Sequence, residues 1–506
     1  MRRRLHAILL VTSLLLLGSG VWLVWSWERE SRDADELMAL WDGVNDVRLD
    51  TTTALPDWIN ESGIDWLNSD WLQQKGRRIR SVQIATSSFE SARSDPEKIM
   101  RGLRMLGRHR HLESIEFAGP WLTDARLAEI PEIPSLTFLS VTDTSLTKAS
   151  LSTIARHRNL TYLSLSSLEE IDDSALKELR PLQQLESIHF ALTTFSWGLG
   201  IRDLACLPKL AQIGLRGTTI VGHPDGAFSG LAQIKSLKSI SVTDSGEILG
   251  NHIRRLARLP SLTFLDLSNN KSRGWVSKDF GLKKLQRLEL RNVEVVEGPM
   301  DRLFVALVSG GQLKSVNVRN TRLSDAGIAA LASSRSLERL DLRLSDVGDV
   351  GLSSLTAQSS LKSLQLSRSH VGGEGFRFAC RHFPLKFLDA AHLDLEDKDL
   401  VDLPSLTEIE FLDLSHNQLT DAGTTSLSSL PRLEALQIRY NQLTDAGLRP
   451  MSSLKNIRCY LEGNQVTAAG VEGLEASTEV RTSGHWCGNN PRRITLTGAW
   501  GISMSP

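Results

Sequence analysis

Four cysteines in 506 residues are too few and too scattered for a disulfide framework to hold the fold together. Charge of one sign is equally lacking. With 58 Lys and Arg against 59 Asp and Glu, the formal net charge is -1, and no global field draws in nucleic acid or acidic lipid. Glycine (37) and proline (16) are moderate and spread along the chain, which argues against a long disordered segment. Familiar catalytic signatures are missing too: there is no HExxH, GxSxG, GxxxxGK or strand-borne GxGxxG. His109 and His111, beside Arg108 and Arg110, have no carboxylate or thiol at ligand spacing. Gly372, Gly373 and Gly375 cluster between an expected strand and an expected helix, where an ordinary turn explains them. No metal and no organic cofactor is expected, and the chain reads as a non-enzyme.

What the chain has is repetition. A 24-residue stretch beginning at Ile409, IEFLDLSHNQLTDAGTTSLSSLPR, is followed by a near copy beginning at Leu433, LEALQIRYNQLTDAGLRPMSSLKN. Leu412 falls on Leu436, Leu414 on Ile438 and Asn417 on Asn441, and QLTDAG recurs unchanged. The underlying pattern is apolar, two of any kind, apolar, any, apolar. It begins at Ile79 (IRSVQI), restarts at Leu112, Leu136 and Leu160, and continues to Leu433 and, less cleanly, to near Asn456, giving about sixteen units mostly 23 to 28 residues long. Length alone suggests several domains, but stacked repeats bury their apolar faces against their neighbours and escape that limit.

Each part of a unit has a physical reason. In LKSVNVRNTRLSDAGIAALASSRS, Leu313, Val316 and Val318 point inward from a short strand while Ser315, Asn317 and Arg319 alternate to the open face. Thr321 stands where Asn270, Asn417, Asn441 and Asn464 stand in other units, at a buried bend whose side chain can satisfy backbone groups of the next turn. Ser324 then reads as a helix N-cap and Asp325 as a charge at the helix's positive end, with Ile328 and Leu331 on the core.

These features, and the LTDAG or LSDAG string at Leu323, Leu419 and Leu443, resemble leucine-rich repeat proteins of the ribonuclease-inhibitor-like and cysteine-containing types, including exported bacterial ones. The resemblance covers about four fifths of the chain (residues 79–479) and weakens in the irregular units at Leu185, Leu210 and Leu285. It implies an α/β solenoid, or horseshoe, with parallel strands on the concave face and helices on the convex face. It also implies a binding or scaffolding role, mostly toward protein ligands, with glycan or peptidoglycan as the alternatives in an exported setting. A ubiquitin-ligase-type substrate adaptor would share this repeat type, but no adaptor-docking box precedes the repeats. An enzyme using the concave face as a substrate cradle is a further alternative.

The two ends differ from the repeats. Residues 5–27 carry no formal charge, follow Arg2, Arg3 and Arg4, and end on Trp22, Trp25 and Trp27. Roughly 20 apolar residues span a bilayer, so residues 1–27 read as a transmembrane signal anchor with a cytoplasmic N-terminus and an extracytoplasmic repeat domain. A signal peptide cleaved near Gly18-Ser19-Gly20 is the competing reading. Residues 28–78 are acidic and Trp-bearing, with helical spacing at Leu37, Leu40, Trp41 and Val44; they suit a linker and N-terminal cap, or a docking segment. Residues 480–506 lose the leucine pattern and read as a C-terminal cap and loose tail.

On the open face, Arg291, Arg319 and Arg343 share one position in three consecutive units, with Glu289 and Asp341 close by and Arg439 further along the same face. Two readings stand. The charges neutralise one another on a solvated face, or they form a recognition strip for an acidic or mixed-charge protein segment. Cys206 and Cys380 lie seven units apart, some 34 Å at the usual strand spacing, and read as buried small hydrophobes. Cys487 could pair with Cys459 only if the tail folds back.

Overall fold

The computed structural model describes residues 29–41, 47–53, 77–85, 96–167, 175–196, 199–221, 225–273, 281–296, 299–309, 312–454, 457–472, 478–482 and 485–487. Two compact units divide the chain, Met1–Leu285 and Gln286–Pro506. In the first, strand Val47–Thr53 runs antiparallel to Arg77–Ala85. Parallel strands follow at Ser114–Ala118, Phe138–Thr142, Tyr162–Ser166, Ser187–Ala191, Gln212–Arg216, Ser239–Thr243 and Phe264–Asp266. In the second, parallel strands run from Arg287–Glu289 through Ser315–Asn317, Arg339–Asp341, Ser363–Gln365, Phe387–Asp389, Phe411–Asp413 and Ala435–Gln437 to Ile457–Tyr460. Each strand is one short edge of a repeat, and a short helix or 3-10 turn, such as Asp445–Met451 or Asp397–Ser405, forms the other.

The expected inward residues are the core. Leu313, Val316, Val318, Leu323, Ile328 and Leu331 are all buried, as are Ile79, Val82 and Ile84 at the first pattern-bearing strand. Each such side chain removed from water is worth roughly 1.5 to 3 kcal/mol. The irregular units carry extra short strands away from the main sheet: Thr194–Ser196 pairs with Thr219–Val221, and Glu247–Leu249 with Lys271–Arg273.

Two hydrogen-bond ladders tie repeat to repeat. Asn417 donates from Nδ2 to the Ala390 and Leu414 carbonyls (3.0 and 2.9 Å), and its Oδ1 accepts from the Leu393 and Leu395 amides (3.1 and 3.0 Å). Asn441, Asn464 and Asn270 repeat the arrangement on the units before them. The asparagines therefore serve the preceding repeat, where the next had been expected, because the bend folds back over the strand already laid down. Thr321 reaches only its own Val318 carbonyl (2.6 Å).

The aspartates of the LTDAG strings point the other way. Asp421 accepts from the Thr444 amide (2.8 Å) and hydroxyl (2.6 Å) of the following unit. Asp445, of the other LTDAG string, does the same for Thr467, and Asp124 and Asp397, at the equivalent place in units without that string, do so for Thr147 and Thr420. Ser324 does not cap its own helix, as its sequence position suggests; its hydroxyl and amide both go to Asp301 of the unit before. Asp325 in turn receives the Gly348 amide (2.6 Å). The glycine of the string is sterically required: a Cβ on Gly447 would lie 2.4 Å from the Asp421 Oδ1.

At the N-terminal side, the helix over residues 29–41 buries Ala34, Leu37 and Trp41, and the Trp41 ring lies where a Cβ on Gly102 would fall. Glu30 pairs with Arg78 at 2.6 Å. At the other end the sheet continues past the last leucine: strand Thr478–Thr482 pairs parallel with Ile457–Tyr460, and His485–Cys487 turns back antiparallel. Cys459 is buried and free, its thiol pushed up to about 12 by desolvation, and Cys380 is likewise buried and free. Cys206 departs from expectation in being exposed, its Sγ 3.0 Å from the Asp203 carbonyl. The expected membrane anchor lies outside the described residues; among the described residues no helix is long and apolar enough to cross a membrane.

Candidate ligand-binding face

Helices cover one side of the sheet, so the open side carries the candidate site. In the second unit, strand register stacks Glu289, Asn317, Asp341, Gln365, Asp389 and Asp413 into one column. The backbone ladder runs on past the strand ends, with the Asn292 amide on the Arg319 carbonyl (2.9 Å) and the Asn320 amide on that of Arg343 (2.8 Å). Arg291, Arg319 and Arg343 therefore do stand side by side.

The structure distinguishes these arginines. Arg343 grips Asp341 with two bonds, Nε to Oδ1 at 3.0 Å and Nη2 to Oδ2 at 2.7 Å. Burial pulls its guanidinium pKa down, but the Asp341 carboxylate more than offsets this and the net shift is upward. Arg291 sits 3.7 Å from the buried Glu289, which also accepts from Arg287 at 2.9 Å. The Arg319 side chain is exposed. Arg439 pairs with Glu462 at 2.8 Å and lies 4.7 Å over the Tyr460 ring. Removing Arg343 would strand the buried Asp341 carboxylate, so Arg343 has a structural duty that Arg319 lacks.

The acidic column also has a backbone role that alternation alone does not reveal. A side-chain oxygen accepts from the amide two residues on: Asn317 from Arg319 (3.0 Å), Asp341 from Arg343 (3.1 Å), Asp389 from Ala391 (3.2 Å) and Asp413 from Ser415 (2.9 Å). This turn chemistry explains why Asp and Asn recur there. It does not neutralise them. Among the described residues, no Lys, Arg or His stands at ion-pair distance from Asp389 or Asp413. Burial, then the charge of Asp413, pushes the Asp389 carboxyl up to about 7, and burial raises Asp413 as well.

A carboxyl whose folded pKa exceeds its unfolded value binds protons better in the folded state, so its ionisation subtracts stability. The loss is nil below the ordinary aspartate value of 3.8 and complete above about 7. Asp389→Asn keeps the bond to Ala391 and removes the charge. It is expected to raise stability at pH 8 by on the order of 1 to 2 kcal/mol after solvent screening, with the gain vanishing toward pH 4. Thermal melts of both proteins across that range check the sign.

Beside the acids runs a stacked row. Phe387 and Phe411 stack at 4.4 Å and 3°, His392 and His416 at 4.0 Å and 10°, and His416 and Tyr440 at 4.3 Å and 16°. Arg368, His392, His416 and Tyr440 occupy equivalent positions with φ between 51 and 59, so a shared left-handed bend sets the stack. On the first unit's open face Phe138 and Tyr162 stack at 4.4 Å. There the Ser187 hydroxyl meets His189 Nε2 at 2.9 Å, and the imidazole leans over Gly214, where a Cβ would touch it.

A family model described as Leucine Rich repeat matches residues 333–355, 406–428 and 430–452. These three segments are leucine-rich repeats. Among solved structures, the TLR13–ssRNA13 complex is similar at 17% identity over 80% of this chain and 65% of that one, with a TM-score of 0.50. A leucine-rich repeat protein of Leptospira interrogans matches at 19% identity over 79% of this chain and 95% of that one, TM-score 0.45. The plant peptide hormone receptor RGFR1 in complex with RGF2 matches at 17% identity over 75% and 65%, TM-score 0.41. No curated protein matches the sequence. The leucine-rich repeat fold accounts for the strands, bends and helices; the exposed arginines and the stacked rings of the open face lie beyond what it requires.

Proposed function

We propose that this leucine-rich repeat protein is a non-catalytic, membrane-anchored binding module that captures a protein ligand on the open face of residues 286–506. One observation carries the reading. Arg287, Arg291, Arg319 and Arg339 are all exposed on neighbouring strands of a face that helices leave open, a density of guanidinium that repeat stacking does not need. Planar guanidinium forks bind carboxylates bidentately and are favoured at interfaces. Glu289 and Asp341 hold Arg291 and Arg343 in place at the edges of the strip, and Arg439 extends it. The repeats are of the ribonuclease-inhibitor-like or cysteine-containing type, on the strength of their LTDAG strings.

Anchoring rests on residues 5–27, uncharged and bracketed by three arginines and three tryptophans. Protease shaving of intact cells is expected to remove the repeats without permeabilisation; protection until the membrane is opened would contradict export. For the ligand, Arg291→Ala/Arg319→Ala is the informative variant, because it spares Arg343 and its two bonds to the buried Asp341. Partners captured by residues 28–506 should drop by about tenfold or more with this variant, while Tm moves by no more than about 2 °C. Identical captured partners would refute the arginine strip.

A further inference from the structure

Two consecutive strands of the second unit show the open face the same side chains. Phe387, Asp389, Ala391 and His392 on one are matched by Phe411, Asp413, Ser415 and His416 on the next. Neither flanking unit shares the set: one carries Ser363, Gln365, Ser367 and Arg368, the other Ala435, Gln437, Arg439 and Tyr440. The two phenylalanines stack on one side of the carboxylates and the two imidazoles stack on the other. Between acids and imidazoles lie only the small, buried Ala391 and Ser415. The duplicated face is a shallow trough with an aromatic wall, an imidazole wall and a pair of carboxylates.

We propose that this trough is a docking subsite for a lysine or arginine side chain carried on an extended segment of a protein ligand. The inference rests on the reading of this open face as the ligand-binding surface and names the chemistry of one of its contacts.

Charge complementarity supports it. Asp389 and Asp413 stand on adjacent strands, roughly 4.8 Å apart at the usual spacing, and each raises the other's cost of ionisation. Three of the nearby cations are already committed, Arg343 to Asp341, Arg439 to Glu462 and Lys386 to Glu410 at 2.6 Å, and Arg368 lies against the His392 imidazole at 3.4 Å. His392 and His416 do not substitute at neutral pH, because burial lowers both imidazoles and the charge of the single Arg368 lowers each further. An ammonium or guanidinium placed between the carboxylates relieves their repulsion, and its methylene stem lies along the half-exposed Phe411 and its partner ring. A metal ion fits less well: among the described residues no three His, Cys, Asp or Glu side chains are arranged to hold one.

The subsite also orients a ligand. Arg319 lies four strands from Asp413, roughly 19 Å at the same spacing. An extended segment covers that span in about six residues, with its acidic end on the arginine strip and its basic end in the trough.

The test titrates the full-length protein with tetralysine and with tetraglutamate, following heat and histidine NMR signals. Tetralysine is expected to bind at pH 8 and to weaken on the order of tenfold by pH 5.5. Asp389, its carboxyl pushed up to about 7 and faced by Asp413, Arg343 and Asp341, takes up a proton over that range. Asp413, faced by Asp389, Arg439 and His416, is shifted in the same direction, and any proton taken up by the lowered imidazoles of His392, beside Arg368 and Asp394, and His416 adds positive charge. Asp389→Asn/Asp413→Asn keeps the turn bonds and should lose tetralysine binding to a similar degree, and Phe411→Ala should weaken it less. Unchanged tetralysine affinity in the double asparagine variant, or an affinity indifferent to pH, overturns the subsite. Arg291→Ala/Arg319→Ala should leave tetralysine binding intact, so failure of the arginine strip and failure of the trough read out separately.

Discussion

Asn417→Ala is expected to destabilise the repeats around it by about 3 to 5 kcal/mol, because it strands several buried backbone groups at once. The alanine deletes the acceptor for the Leu393 and Leu395 amides and the donor for the Ala390 and Leu414 carbonyls. Asn417 is buried, and water does not replace those partners without opening the bend. Thr321→Ala, which removes one bond to Val318, should cost closer to 1 kcal/mol. Denaturant titration compares the two, and hydrogen exchange at Leu393 and Leu395 places the damage. Equal costs for both substitutions would mean that the asparagine's links to the preceding unit contribute little.

The second large effect lies on the helix side. Asp421→Ala removes both bonds to Thr444 and should cost about 2 to 3 kcal/mol. Gly447→Ala should cost a comparable amount for a different reason, since its new Cβ would press on the same Asp421 oxygen at 2.4 Å. In the double variant that clash has gone along with the carboxylate. The two costs should therefore fall short of adding by on the order of 1 kcal/mol or more in a double-mutant cycle. Strict additivity would show that Gly447 is needed for some reason other than making room for Asp421.

The sequence makes the apolar skeleton fully legible, because Leu313, Val316, Val318 and their equivalents are dictated by local alternation. Links between repeats are legible only as recurrences. Ser324 and Asp325 carry the local signature of a helix start, and the true partners stand 23 residues away, one repeat removed, where propensity carries no information. The arginine column is legible in position but not in commitment: that Arg343 is doubly bonded to Asp341 while Arg319 is exposed depends on side-chain geometry. The strings FLDAAH and FLDLSH stand 24 apart in plain view. Their significance comes from ring stacking and from carboxylates that no described cation ion-pairs, neither of which spacing displays. Strands Thr478–Thr482 and His485–Cys487 escape notice because pairing at the end of a sheet needs no leucine pattern.

The asparagine and aspartate ladders run in opposite directions, and this bears on how the chain acquires structure during synthesis. Asn417 completes the unit before it, while Asp397 of that earlier unit waits for Thr420. A repeat leaving the ribosome therefore lacks its final hydrogen bonds until about 24 further residues have emerged. Nascent chains should lag by one unit, with protease resistance advancing in steps of a repeat length and the newest repeat always open.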